Sequence, residues 1–313
     1  MAVQGLSGLD AAFLAAETPA NPLHVMAAMV LDPSTVPGGY SFERFRDDIG
    51  ARLGLVPRLH RRLNEVPFAP HGAVWVEDAG LDLGYHIRPA TLPAPAGQRE
   101  LAAFVAGLAE RSLDRARPLW ELHVIEGLEH GHIAVVAKLH HALMDGIAGM
   151  ELMAALFSVA PDSPPFETVP VSPEASPGML TLTRVTLAGW LLQQPAAAAR
   201  AVAESTRATM RVGRWLLLGA PRRVPLPFRA PRMGLGRVPT AHRVMACTSV
   251  ALADVREISS RFGVTVNDVV LASLGGALRQ VLVRRNELPE ASLVAAVPVS
   301  VHDGDGFGLA TST

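Results

Sequence analysis

The chain has 313 residues, a formal net charge of -1 at pH 7 and 49% hydrophobic residues. This length allows one large or two ordinary domains with a sizeable core, and the near-zero charge excludes a global field that would favour nucleic acid. The single cysteine, Cys247, excludes an internal disulfide framework and fits a reducing compartment. We expect it to be a buried structural thiol rather than a catalytic one.

The N-terminal residues lack the features of a signal peptide. Asp10 and Glu17 occur early, and no basic start precedes an apolar run. No segment approaches the roughly 20 apolar residues that span a bilayer. The longest candidate, Val185 to Leu192, is followed by Gln193-Gln194-Pro195. We therefore expect a cytoplasmic protein, or one that lies peripherally on the inner membrane surface.

Residues 1–160 have the pattern of one α/β unit. Apolar residues at helical spacing predict helices over 42–53 and 100–113. A short strand is predicted over 73–76 and two longer strands over 119–126 and 133–139. We expect the last two to pair through the glycine-bounded turn at 127–131.

Residues 161–239 combine proline-rich linkers with two predicted helical stretches, 180–194 and 196–218. Residues 180–250 contain eleven arginines and one acid, and part of this charge forms a stripe in the second stretch, at Arg200, Arg207, Arg211 and Arg214. A basic helix of this kind can lie on anionic lipid, or it can be the solvated face of a helix packed on the domain.

A second unit is predicted to begin at residue 240. Its predicted elements are a strand over 245–251, a helix starting at 252, a helix over 265–285 and a strand over 293–301.

The most informative pattern is the run from His140 and His141 to Asp145 and Gly146, HHxxxDG. An apolar stretch that predicts a buried strand precedes it and a predicted helix over 146–157 follows it, so the histidines should lie on a rigidly supported loop. A histidine there can accept a proton near neutral pH. Two other interpretations stay open: the pair could bind a metal, although successive side chains of an extended chain rarely share one ion, or both could be ordinary hydrogen-bonded histidines.

The surroundings of this motif resemble a known family. LDRARPLWE at 113–121 and VIEGL at 124–128 are similar to the PLWE block of the bacterial wax ester synthase/acyl-CoA:diacylglycerol acyltransferase family. HHxxxDG alone is shared with chloramphenicol acetyltransferases, plant acyltransferases and peptide-synthetase condensation domains. Further blocks that resemble this family follow in the family order along nearly the whole chain: LSGLDAAF at 6–13, NPLHV at 21–25, VPRL at 56–59, DLGYH at 82–86, LPAPAG at 92–97, VNDVV at 266–270 and VPVS at 297–300. This ordered set of blocks points to the lipid-making branch.

The resemblance implies an α/β (α+β) fold of the CoA-dependent, chloramphenicol acetyltransferase-like class. Relatives have two similar halves with the active site in a tunnel between them. Here residues 1–160 have the pattern of a first half with the motif, residues 161–239 that of linkers and a crossover, and residues 240–313 only that of the start of a second half. We therefore expect a C-terminally truncated member whose uncovered apolar surface favours self-association.

The resemblance also implies roles for the motif residues. His141 would be the general base, and His140 would support the site or the loop. Asp145 would either orient an imidazole or tie the loop to an arginine, and the second role is typical of the family. Gly146 would permit a tight turn or a helix start beside the substrate.

Two residues beyond the motif are further candidates. Asn267 could donate a hydrogen bond at the tunnel or could be a helix N-cap, and Ser300 is a weaker candidate for an oxyanion donor. Trp120 in the PLWE block is expected in the core. No Walker or dinucleotide glycine motif occurs, so we expect no bound cofactor and no metal, with acyl-CoA as a substrate.

The sequence therefore predicts an acyl-CoA-dependent O-acyltransferase that forms triacylglycerol from diacylglycerol, or wax ester from fatty alcohol. The expected partners are long-chain acyl-CoA, the lipid acceptor and a membrane or lipid-droplet surface, with no nucleic acid. Two alternatives stay open. One is a truncated inactive relative that binds lipid or a protein partner, and the other is a condensation-type transferase, against which the PLWE and LSGLDAAF blocks speak.

Overall fold

The computed structural model describes residues 3–66, 72–143 and 239–294, together with 152, 155–157, 178, 182–184, 206, 210, 231 and 234. The chain divides into two compact units, Met1–Ala203 with Pro239–Cys247, and Glu204–Val238 with Thr248–Thr313. The mixed α/β class expected from the sequence is confirmed. The domain limits near residues 160 and 240 stay a prediction.

A four-stranded sheet forms the centre of the first unit. Its strands are β2 (His24–Leu31), β5 (Ile87–Ala96), β6 (Trp120–Leu128) and β7 (Ile133–His140). The order is β2-β7-β6-β5, with β7 antiparallel to both neighbours and β6 parallel to β5. The predicted pairing of β6 with β7 is confirmed. A Cβ at Gly127 (φ 89°) would collide with the carbonyl oxygen of Leu92, so this position near the end of β6 requires glycine.

A second sheet has three antiparallel strands in the order β1-β4-β3. These strands are β1 (Gln4–Gly5), β3 (Arg61–Glu65) and β4 (Ala73–Glu77). The short strand predicted over 73–76 is β4. The charged residues of β3 gave no strand pattern, and its pairing with β4 decides its conformation.

The helices of the first unit begin at recognisable caps. They are α1 (Gly8–Ala16), α2 (Phe42–Arg52), α3 (Leu83–His86) and α4 (Gln98–Ala109). Ser7 and Asp10 form a capping box on α1, and the Ser41 hydroxyl caps α2. The predicted helix 42–53 is confirmed as α2. The predicted helix 100–113 is α4, which ends earlier, where the ammonium of Lys138 binds the Leu108 carbonyl.

The core lies on both faces of β6 and β7. All eight residues of β7 are buried, which explains the apolar run over its first five residues. On one face Leu122 and Ala137 pack in a cluster with Leu53 and Leu59. On the other face Val136 belongs to a cluster with residues of α4. The end of β7 is therefore held from both sides of the sheet.

Two strands of the central sheet were missed by pattern alone. β2 contains alanine and methionine, which suit a helix as well as a strand, and none of its residues is fully buried. β5 contains Pro89, Pro93 and Pro95, and it is the last strand in the sheet order, where proline is tolerated.

The second unit contains the helices α5 (Leu252–Phe262) and α6 (Val266–Arg284). Both helices were predicted. Gly263 ends α5 in the left-handed conformation at φ 63°, and a capping box between Thr265 and Asp268 starts α6.

The other expectations for this part of the chain have different outcomes. Residues 245–251 were predicted as a strand, but they are irregular and exposed, and they have no pairing partner among the described residues. Of the predicted strand 293–301, residues 295–301 lie outside the described residues, as do nearly all residues of the helical stretches 180–194 and 196–218 and the arginine stripe.

The expectation that no segment is long and apolar enough to span a membrane was wrong for α6. Its 19 residues meet the length and hydropathy of a span, with a mean hydropathy of 1.3 and 11% of the helix window buried. Among the described residues α6 is the one such helix. Core helices of soluble proteins pass the same test, so this feature assigns no membrane role.

Candidate active site

Both motif histidines lie where β7 ends. His140 is the last residue of β7 and stands opposite His24 of β2, while His141 begins a 3₁₀ turn. Their backbone is fixed, because the N–H of His140 donates to the Leu119 carbonyl and the N–H of His141 donates to the Leu23 carbonyl, each at 3.0 Å. The predicted placement, at the end of a buried strand, is confirmed.

His140 is buried and electrically neutral at neutral pH. Its side chain is 1% exposed. Burial lowers the pKa of His140 more than the nearby Glu17 carboxylate raises it. The ring nitrogen Nδ1 accepts a hydrogen bond from the N–H of Ala142 at 3.0 Å, so the proton of the neutral ring is assigned to Nε2.

His141 has a different environment. It is partly exposed, and its ring stacks on the ring of Phe13 with centroids 4.9 Å apart and an interplanar angle of 20°. Phe13 belongs to α1, so this helix supports the imidazole from one side. Of the two motif histidines, His141 is therefore the one that a substrate can reach.

A carboxylate and a guanidinium that sequence reasoning missed lie behind His140. Glu17 Oε2 is 3.6 Å from His140 Nε2, longer than a hydrogen bond. The same oxygen accepts from Arg115 Nε at 3.2 Å and Nη2 at 2.7 Å. Burial raises the pKa of Glu17, but the hydrogen bond from Arg115 and the positive charge of this guanidinium help to hold the pKa below its usual value.

Other buried polar groups lie on the same part of the sheet. Lys138 is 1% exposed, and its ammonium donates to the carbonyls of Leu108 and Arg111. His24 is partly buried, and burial, with the charge of Lys138, lowers its pKa to about 4. Glu121 and His123 form a separate pair, with Oε2 and Nε2 3.0 Å apart.

The remaining predicted site residues have mixed outcomes. Asp145, Gly146 and Ser300 lie outside the described residues. Asn267 is described in the second unit, where it is exposed in the first turn of α6. The N-cap interpretation of Asn267 is wrong, because the cap of α6 is Thr265.

Two residues outside the motif also have clear outcomes. Trp120 lies in the core as predicted: it is 1% exposed, its Nε1 donates to the Leu59 carbonyl at 2.8 Å, and its ring stacks on His86 at 4.4 Å. The prediction of a buried Cys247 is wrong, because this thiol is exposed in the irregular segment that was expected to be a strand. Among the residues that the structure describes, no group of three or more His, Cys, Asp or Glu side chains is arranged to hold a metal ion.

A partly exposed imidazole on the end of a buried strand, beside a buried neutral one, defines a candidate general-base site on an α/β scaffold. The family model of the wax ester synthase/diacylglycerol acyltransferase catalytic domain matches residues 6–270. The chain belongs to this family, as the ordered sequence blocks indicated.

Individual relatives agree with this assignment. A protein of Mycobacterium tuberculosis strain H37Rv named putative diacylglycerol O-acyltransferase is 40% identical over 308 residues, which are 96% of this chain and 59% of that protein. A second protein of the same name and strain is 37% identical over 301 residues, 95% of this chain and 63% of that protein. The solved wax ester synthase/diacylglycerol acyltransferase from Marinobacter aquaeolei VT8 is 30% identical with a TM-score of 0.61, over 95% of this chain and 65% of that one. The chain thus spans less than two thirds of each of these relatives.

Proposed function

We propose that this protein transfers an acyl group from a long-chain acyl-CoA to a hydroxyl group. The acceptor is diacylglycerol, which gives triacylglycerol, or a fatty alcohol, which gives a wax ester. Family membership supports the reaction type, as do the names of the relatives from Mycobacterium tuberculosis and Marinobacter aquaeolei. The observation that carries the proposal is the partly exposed His141 at the end of β7, beside a buried His140.

The proposed chemistry needs one base and one oxyanion site. The neutral imidazole of His141 removes the proton of the acceptor hydroxyl while the oxygen attacks the thioester carbonyl. The tetrahedral intermediate collapses with loss of the CoA thiolate, which takes the proton back from His141. His140 does not exchange protons with substrate in this scheme, because it is buried and its Nδ1 is engaged by the Ala142 amide.

The roles of the other candidate residues are part of the same proposal. Asp145 ties the loop after the histidines to an arginine, and Gly146 lets the chain turn beside the substrate. Asn267 and Ser300 are candidate donors to the substrate or the oxyanion. No bound cofactor or metal takes part, since acyl-CoA is consumed as a substrate.

The lipid substrates suggest where the protein works. We propose that it acts in the cytoplasm at a membrane or lipid-droplet surface, because diacylglycerol and fatty alcohols partition into lipid. Co-sedimentation with anionic vesicles at low and high salt tests this, with salt-sensitive binding expected from the arginine stripe.

Self-association is a separate proposal, tested by size-exclusion chromatography with light scattering, and a clean monomer would contradict it.

The direct test of the reaction is an assay of the purified protein with labelled palmitoyl-CoA. Diacylglycerol and hexadecanol are offered in separate reactions, and the products are separated by chromatography. We expect labelled triacylglycerol or wax ester, and neither ester from heat-denatured protein. Release of free palmitate alone, or no product with either acceptor, would contradict the proposed function.

A further inference from the structure

We propose that Glu17, clamped by Arg115, is a positioning residue that acts through His140 to fix the backbone amide directly after His141. The inference rests on the proposed function for the role of His141. Its structural part concerns the tautomer of His140, which can be measured without turnover.

The first observation is the clamp on Glu17. The side chain of Glu17 is 6% exposed, although the carboxylate is a charged group. Two nitrogens of Arg115 donate to Oε2, and Nη2 of Arg115 also donates to the Leu14 carbonyl at 2.7 Å. The guanidinium thereby joins the carboxylate to the last turn of α1. A carboxylate held this way keeps its position and its negative charge.

The second observation is that this charge faces one nitrogen of His140. Nε2 of His140 is 3.6 Å from Oε2 of Glu17, so the contact is electrostatic rather than a normal hydrogen bond. A negative charge at this distance, in a buried place, favours the tautomer with its proton on Nε2. The other nitrogen, Nδ1, is then free of a proton and can accept a hydrogen bond.

The third observation concerns the hydrogen bond that Nδ1 of His140 accepts. Its donor is the N–H of Ala142, the residue directly after His141. The N–H of His141 itself is bound to the Leu23 carbonyl. Both amides that flank the His141 α-carbon are therefore fixed. The opposite tautomer of His140 would bring its Nδ1–H against the Ala142 N–H and would displace this turn.

The helix α1 joins the two effects. Glu17 caps its C-terminal end, and Phe13, one turn earlier, stacks on the His141 ring. The block LSGLDAAF and the glutamate that follows it thus act on both histidines: Phe13 supports the ring of His141, and Glu17 controls the turn that carries it.

The test is Glu17→Gln, which keeps the size of the side chain and removes its charge. We expect kcat to fall about 10–100-fold, the loss known for partners that orient metal-binding histidines, which here serves as the scale for the same orienting role. KM should change less than threefold, because the turn is displaced while the rest of the binding surface is kept. Glu17→Asp, which keeps the charge, should retain more activity than Glu17→Gln.

The matched control is Glu121→Gln. Glu121 is also a buried carboxylate beside a histidine, but its partner is His123, which is not a motif histidine. We expect kcat within threefold of the unchanged protein for this control. A fall in kcat at Glu121→Gln equal to that at Glu17→Gln would overturn the positioning role, since general loss of a buried charge would then explain both.

The second readout is the tautomer of His140, which a merely structural role of Glu17 would leave unchanged. Two-bond ¹H–¹⁵N spectra of ¹⁵N-histidine-labelled protein, assigned with His140→Gln, should show His140 protonated at Nε2 and not at Nδ1. In Glu17→Gln we expect Nδ1 protonation to appear, and in Glu17→Asp and Glu121→Gln no change. An unchanged His140 tautomer in folded Glu17→Gln would overturn the inference. If the unchanged protein has no transferase activity, the proposed function fails but the tautomer measurement still decides this inference.

Discussion

The two sides of the β7 end differ in what surrounds their imidazoles. On the buried side, His140 is 1% exposed and contacts the Ala142 amide and the Glu17 carboxylate. On the open side, His141 is partly exposed and stacks on Phe13. Adjacent residues at a strand end point in different directions, so one motif supplies both a packed ring and an accessible ring. Identical neighbouring side chains can therefore have separate tasks.

The largest effect is expected on the open side. His141→Ala should lower kcat roughly 10²–10⁴-fold, the usual contribution of a general base. Because His141 is partly exposed and the variant removes its stack on Phe13, the free energy of unfolding should fall by no more than about 1.5 kcal/mol. Steady-state kinetics with palmitoyl-CoA and urea unfolding check both values. His132→Ala, at the other end of the β6–β7 hairpin, is the control and should keep full activity.

On the buried side, substitutions should lower the free energy of unfolding. Lys138→Ala removes the ammonium that binds the carbonyls of Leu108 and Arg111, and it leaves a cavity in the core. We expect the free energy of unfolding to fall by about 2–4 kcal/mol, measured by urea unfolding. Arg46→Ala breaks an exposed pair with Asp47 and should cost less than about 0.5 kcal/mol. Equal losses in the two variants would contradict a buried polar anchor on this side.

His140→Ala tests the comparison directly. Loss of the ring leaves the Ala142 N–H without its acceptor, and we expect the free energy of unfolding to fall by about 1–3 kcal/mol. Its kcat should fall less than that of His141→Ala, because the base remains. A loss of kcat at His140→Ala equal to or larger than the loss at His141→Ala would show that the roles are reversed.

The smallest effect is a pH dependence of stability. Burial lowers the pKa of His24 to about 4 and also lowers the pKa of His140. In the unfolded chain both titrate near pH 6.5, so below that pH the unfolded state binds more protons than the folded state. The free energy of unfolding should therefore decrease as the pH falls from about 6.5 to 4. Urea midpoints across this range measure it, and His24→Gln should flatten the decrease. A midpoint that rises on acidification would contradict the buried, neutral state of these rings.

Much of the fold around the site could be predicted because its signals are local. An apolar run bounded by glycine predicted the β6–β7 hairpin, and helical spacing predicted α2. β5 could not be predicted in this way, because its prolines are tolerated only through its position at the edge of the sheet. The irregular segment around Cys247 shows the opposite error, since a strand pattern forms a strand only where a partner is available.

The candidate site likewise contains residues that the sequence predicts and residues that it does not. His140 and His141 could be found because they are adjacent and follow a strand signal. Glu17 and Arg115 could not, because they are separated by 98 positions and no sequence pattern links them. Their contact depends on where the end of α1 packs in the folded protein. Long-range polar pairs of this kind can be found only from a three-dimensional structure.

Chemical modification measures directly whether the imidazoles of His140 and His141 differ in accessibility and in role. Diethyl pyrocarbonate reacts with accessible neutral imidazoles, and peptide mass spectrometry locates the adducts. The two-sided account predicts that His141 is modified in the folded protein, that palmitoyl-CoA protects it, and that activity is lost in step with its modification, while His140 reacts only after unfolding. Modification of His140 before His141 in the folded protein, or full activity after His141 is modified, would contradict the account.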